Sequence, residues 1–91
     1  MVRVRGKVHW TNAGYVYIYI PSLQCSAECK EFLRTRRNQY VSVYVENGEI
    51  KRYRGKVWKY LHTFIIAIQA RFADERLLSL IGQEVEVKLG P

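Results

Sequence analysis

Acidic residues are scarce in this chain of 91: Asp and Glu number 8 against 15 Lys and Arg, and Asp74 is the single aspartate. Paired carboxylates for acid–base work or for holding magnesium therefore have little to draw on. No nucleophile elbow or glycine-rich phosphate loop occurs, because the 6 glycines are scattered. With 2 cysteines and 2 histidines, the spacing offers no four-ligand zinc site. Neither catalysis nor a metal or cofactor is expected. Long apolar runs are missing too, since "FIIAI" at 64–68 is far too short to cross a bilayer. The opening "MVRVRGK" alternates valine with charge and lacks the apolar core of a signal peptide, which points to a cytoplasmic protein. Cys25 and Cys29 lie four apart on the stripe of Phe32 and Leu33 and read as buried structural thiols, with a redox bridge or a metal as the other options.

What is present is ordinary in amount and unusual in arrangement. Hydrophobic residues make 48% and charged residues 25%, enough for one small folded domain spanning 1–91 and too little for two cores. The net charge of +7 comes from the first two thirds, where "RVRGK", "LRTRR" and "KRYRGKVWK" concentrate it. Like charges held together raise the local potential and favour a polyanionic partner. High Arg, Tyr and Ile with few Asn is also a thermophile-like composition.

Period-two patterns dominate. Val2, Val4, Val8 and Trp10 alternate with Arg3, Arg5, Lys7 and His9, and a turn at Asn12–Gly14 leads into "YVYIYIP". There Val16, Ile18 and Ile20 form one face and Tyr15, Tyr17 and Tyr19 the other. A helix is expected from about Ser26, with Glu28 and Glu31 early and Arg34, Arg36 and Arg37 late, in the order that complements its dipole. After Asn38, Val41, Val43 and Val45 alternate with Tyr40, Ser42 and Tyr44. "ENGE" at 46–49 then signals a hairpin with positive φ at both turn positions. "IKRYRGKVWKY", a strand over 62–69, a second helix from Asp74 to Leu80 closed by Gly82, and "QEVEVKL" complete the chain.

The two halves answer one another. "GKVHW" at 6–10 matches "GKVWK" at 55–59, "VYIYI" at 16–20 matches "FIIAI" at 64–68, and "EFLRTRRNQYVSVYV" matches "RLLSLIGQEVEVKL". Two strand-strand-helix-strand units, about 2–48 and 50–90, follow. Interleaved about a twofold axis they can close a six-stranded barrel that leaves few open edges. The expected fold is mainly β, one such barrel with two short helices.

A strand ending in Ile-Pro, a short helix and a strand of alternating valines, in duplicate, resembles the cradle-loop barrels: RIFT-type barrels and their double-psi and AbrB-like swapped-hairpin relatives. The resemblance covers nearly the whole chain and rests on pattern. Gly-Asp, usual before the last strand of AbrB-like units, is Asn38-Gln39 in one copy and Gly82-Gln83 in the other; Gln69 stands where the first copy has Pro21. Members include DNA-binding regulators, riboflavin kinases and binding modules, so the resemblance selects no function.

The outward residues select one. Arg3, Arg5, Lys7, Tyr15, Tyr17, Tyr19, Arg36, Arg37, Tyr40, Tyr44, Arg52, Arg54, Lys56 and Trp58 form the expected nucleic-acid-binding set, cations for phosphates and rings for bases. All are expected on one solvent-facing wall. The alternative is a protein-interaction or ligand-binding barrel whose charge serves solubility. Ile65 and Ala67 make "FIIAI" apolar on both sides, which suggests cover by a helix or by a second subunit, hence a homodimer through Phe64–Ile68.

Overall fold

Alternating side chains become a closed barrel because each strand offers one unbroken apolar face to a shared interior. A computed structural model describes residues 1–91. Its strands are β1 (Val2–Trp10), β2 (Tyr15–Pro21), β3 (Tyr40–Asn47), β4 (Glu49–Tyr60), β5 (Thr63–Gln69) and β6 (Glu84–Gly90). They close antiparallel in the order β1-β2-β5-β4-β3-β6, so no strand edge is left unpaired. Helix α1 (Ala27–Thr35) and the single turn α2 (Glu75–Leu78) each follow a short 3-10 turn, Ser22–Gln24 and Ala70–Phe72.

The register is twofold. Ile18 lies opposite Ile66 at the centre of the β2–β5 pair, and Tyr44 lies opposite Lys88 near the centre of β3–β6. The junctions repeat as well. Val8 donates to the Gln83 carbonyl and accepts from Gly82 N–H, while Val57 donates to Gln39 and accepts from Asn38. Asn38 and Gly82 take the same left-handed backbone, φ 65° and 86°, so the two units turn into their last strands in the same way.

Inside, Val8, Val16, Ile18, Ile20, Val43, Val57, Ile66, Ile68, Val87 and Leu89 are all fully buried. Each such side chain stabilises the fold by about 1.5–3 kcal/mol relative to exposure. Glycine takes one interior place on each basic strand. A Cβ on Gly6 would stand 2.6 Å from the Ile18 Cγ2 methyl, and one on Gly55 2.3 Å from that of Ile66. The two central isoleucines fill the space that Gly6 and Gly55 leave.

Both helices begin at equivalent caps. Ser26 Oγ accepts from Cys29 N–H at 3.1 Å, and Asp74 Oδ1 accepts from Leu77 N–H at 3.0 Å. Cys29 and Leu33 of α1, and Leu77 of α2, enter the core. Three expectations need correction. The cysteines are not free thiols: Cys25 and Cys29 form a disulfide across the α1 cap, where the second unit has Ala73 and Leu77. The second helix stops at Leu78, and Leu80 is buried from the turn beyond it. In the β3–β4 hairpin only Gly48 has positive φ, at 75°, because Asn47 already pairs with Glu49 in the ladder.

Candidate nucleic-acid interface

Tyr15, Tyr17 and Tyr19 point outward, as their period requires, but they are partly buried. β2 and β4 flank β5, so residues on them start about 10 Å apart. Yet the ring centroids of Tyr15 and Tyr17 approach Trp58 of β4 to 5.1 and 5.8 Å, edge-on. The rings therefore lean over β5 and meet. Beneath them Ala67 is 1% and Ile65 9% exposed. Tyr17 also lies 5.8 Å from Tyr19, whose ring meets that of His9 at 4.4 Å with the planes tilted by 39°. Burial, followed by the neighbouring Tyr19 and Tyr15 hydroxyls, raises the Tyr17 pKa. The tyrosine face is thus a packed cover. It also accounts for the apolar strip at Phe64–Ile68: β5 is paired on both sides and roofed by aromatic rings, so neither a helix nor a second subunit is needed there.

The basic residues divide between two sides. Along β1, Arg3, Arg5 and Lys7 face Lys88, Glu86 and Glu84 of β6. Arg3 Nη1 is paired with Glu86 at 3.1 Å, and Lys88 with Glu46 of β3 at 3.2 Å. The twofold relates this ladder to β4–β3, where Arg52, Arg54 and Lys56 face Tyr44, Ser42 and Tyr40. No acidic side chain is paired with any of these three cations. Arg52 Nε donates to Ser42 Oγ at 3.0 Å. The Arg54 guanidinium and the Lys56 ammonium lie 5.6 and 5.8 Å from the Tyr40 ring centre, and Tyr40 is 45% exposed. On the β1 side Arg3 holds an ion pair and Arg5 and Lys7 lie in register with glutamates, whereas the equivalent cations of β4 have neither an ion pair nor an acidic residue opposite them.

Of the remaining expected residues, Arg37 is exposed and lines a cleft of about 470 Å³ with Tyr17, Tyr19, Trp58, Lys59 and Tyr60. Arg36 folds back 4.0 Å over Phe32 and donates to the Phe32 carbonyl, so it does not join the wall. The single wall expected from the sequence is two: an aromatic roof over β2, β5 and β4 flanked by Lys7 and Lys56, and a cationic β3–β4 face. Arg3 and Arg5 stand apart from both, against β6.

Two residues outside the expected set complete the β3–β4 face. The 3-10 turn Ala70–Phe72 brings Arg71 and Phe72 beside Tyr40, Arg54 and Gln69 around a cavity of about 380 Å³. Phe72 is 58% exposed with the Arg71 guanidinium 4.8 Å from its ring centre. The signal was present: "RF" stands immediately before the Ala73-Asp74 cap, in the turn that Ser22–Gln24 occupies in the first unit.

The one strongly perturbed carboxylate is structural. Burial opposes ionisation of Asp74, but hydrogen bonds from Lys51 Nζ, Leu77 N–H and Tyr53 O–H hold its pKa well below the usual carboxylate range. Burial, then the bond to Asp74, pushes the Tyr53 phenol upward. No family model, curated protein or solved structure matches this chain in comparison.

Proposed function

We propose that this protein is a non-enzymatic nucleic-acid-binding barrel of the RIFT-type cradle-loop kind, contacting phosphates and stacking bases on its β3–β4 face. The supporting observation is the broken charge symmetry. Where β6 offers Glu84 and Glu86 to the cations of β1, β3 offers Tyr40 and Ser42 to those of β4. Holding Arg52, Arg54 and Lys56 together without a counter-charge raises the potential there, and an anionic polymer relieves it. Exposed Tyr40 and Phe72 among these cations supply faces on which bases stack, at about 1–3 kcal/mol per base. This moves the site away from Tyr15, Tyr17 and Tyr19, whose rings serve packing.

Titration of a labelled oligonucleotide at increasing salt tests the proposal. Affinity should fall linearly on logarithmic axes, with a slope of about −0.7 per neutralised phosphate for single strands. No binding at low salt would end it. A second reading, a ligand- or protein-binding barrel, draws on the cleft of about 470 Å³ where Tyr17, Tyr19, Trp58, Tyr60 and Ile65 meet Arg37 and Lys59. It would gain if Tyr60→Ala abolished capture of a ligand while oligonucleotide binding was unaffected or absent.

A further inference from the structure

We infer, resting on the nucleic-acid reading, that the preferred ligand is a single strand threaded past Phe72, and that duplexes are poor ligands. Three hollows lie in series on this side of the barrel. One of about 280 Å³ is lined by Lys51, Arg52, Tyr53, Arg54 and Phe72. The next, of about 380 Å³, shares Arg54 and Phe72 with it. A third, of about 570 Å³ beside Tyr15 and the Asn12–Gly14 turn, shares Gln69 and Arg71 with the second. The shared residues make the hollows one interrupted trough, in which Phe72 is the first divider and Arg71 with Gln69 the second.

That shape suits unstacked bases. The middle hollow lies between two exposed rings, Tyr40 and Phe72, and its rim carries Arg54 and Arg71. A base entering it can stack on either ring while its flanking phosphates meet the guanidinium groups. In a duplex the base faces are occupied by neighbouring bases, so Phe72 and Tyr40 would have nothing to stack on and the divider would stand in the way of the backbone. Arg71 is held ready: its Nε donates to Gln69 Oε1 at 3.0 Å, which leaves its terminal nitrogens for phosphate. At the far end Lys51 is tied to Asp74, so the cations lining the trough that are open to phosphate are Arg52, Arg54 and Arg71, with Lys56 beyond it on the same face.

The trough was not foreseeable from the repeat. In the first unit the corresponding 3-10 turn carries Leu23 and Gln24, which supply neither an aromatic divider nor a cation.

The test compares oligo(dT) and oligo(U) strands of about 12 nucleotides with a duplex of the same length, at one salt concentration. Single strands should bind at least about tenfold tighter than the duplex. Phe72→Ala should weaken single-strand binding roughly 5- to 150-fold, the range for one lost stacked base, and should not weaken duplex binding. Phe72→Leu, which keeps the apolar bulk without the π-face, should behave like Phe72→Ala, while Phe72→Trp restores affinity. Phe72 is mostly exposed, so thermal melts of these variants should match the parent. Equal affinity for duplex and single strand, or single-strand affinity indifferent to both Phe72→Ala and Phe72→Leu, would overturn the single-strand inference and leave nucleic-acid binding standing. Failure of every probe to bind at low salt would overturn both.

Discussion

Tyr17 and Tyr40 look interchangeable in the sequence, each an outward tyrosine on a strand, yet their truncation should have opposite consequences. Tyr17 lies among Tyr15, Tyr19 and Trp58, with ring centroids 5.8 to 6.2 Å away, over buried Ala67 and Ile65. Aromatic pairs of this kind contribute about 0.5–1.5 kcal/mol each beyond area burial. Removing a fully buried aromatic costs about 3–5 kcal/mol. Tyr17 is only partly buried, so Tyr17→Ala should cost about 2–3 kcal/mol. With an unfolding entropy of about 2.1 cal/mol/K per residue, that lowers Tm by roughly 10–15 °C. Tyr40 is held by two exposed cation–π contacts, together worth about 1–2 kcal/mol at most, so Tyr40→Ala should lower Tm by less than 10 °C. Binding should reverse the order. Tyr40→Ala weakens oligonucleotide affinity roughly 5- to 150-fold, and Tyr17→Ala less than about threefold. Melting curves by circular dichroism and titrations on the same preparations decide it. A Tyr17→Ala protein that melts like the parent and loses affinity would refute the division between roof and binding face.

Three further outcomes follow from the packing. The Asp74 carboxyl titrates lower in the fold than unfolded, so its contribution is complete above the unfolded value near 4 and is lost as pH falls through the folded one. Tyr53, shifted upward, loses its contribution as pH rises beyond about 10. Urea stability should be flat between these limits, and Asp74→Ala should cost about 2–4 kcal/mol through a lost cap and an unpaired phenol while flattening the acid limb. Gly55→Ala should destabilise by about 1–3 kcal/mol, because its methyl would enter the space of the Ile66 side chain; an unchanged denaturation midpoint would contradict the interior register. Finally, the native protein should show no free thiols, and reduction of Cys25–Cys29 should cost about 2 kcal/mol, the loop-closure value for so short a ring. Two titratable thiols in the unreduced protein would dismiss the bridge.

Much of the architecture was legible because it rests on local periods. Val2 to Val8, Val16 to Ile20 and Val41 to Val45 alternate inward as read, and Ser26 and Asp74 cap the helices they precede. The duplication was legible because matching residues share a spacing. What was hidden depends on which strands become neighbours. Arg3 and Arg52 have similar sequence surroundings, and only the pairing of β1 with β6 and of β4 with β3 brings the first within reach of Glu86, diagonally across the ladder, and sets the second opposite Tyr44. Trp58 and Tyr17 lie far apart in the chain and meet because β5 runs between their strands. Phe72 was passed over because it falls in a turn, where no period marks a side chain as exposed.

The broken symmetry of the two basic strands is tested most directly by two triple variants, Arg52→Gln with Arg54→Gln and Lys56→Gln, and Arg3→Gln with Arg5→Gln and Lys7→Gln. The measurement is the salt dependence of oligonucleotide affinity. The β4 variant should flatten the slope by about 2, as loss of three phosphate contacts requires, and the β1 variant by less than about 1. Equal flattening by the two variants, or none by the β4 variant, would contradict a binding face on β3 and β4.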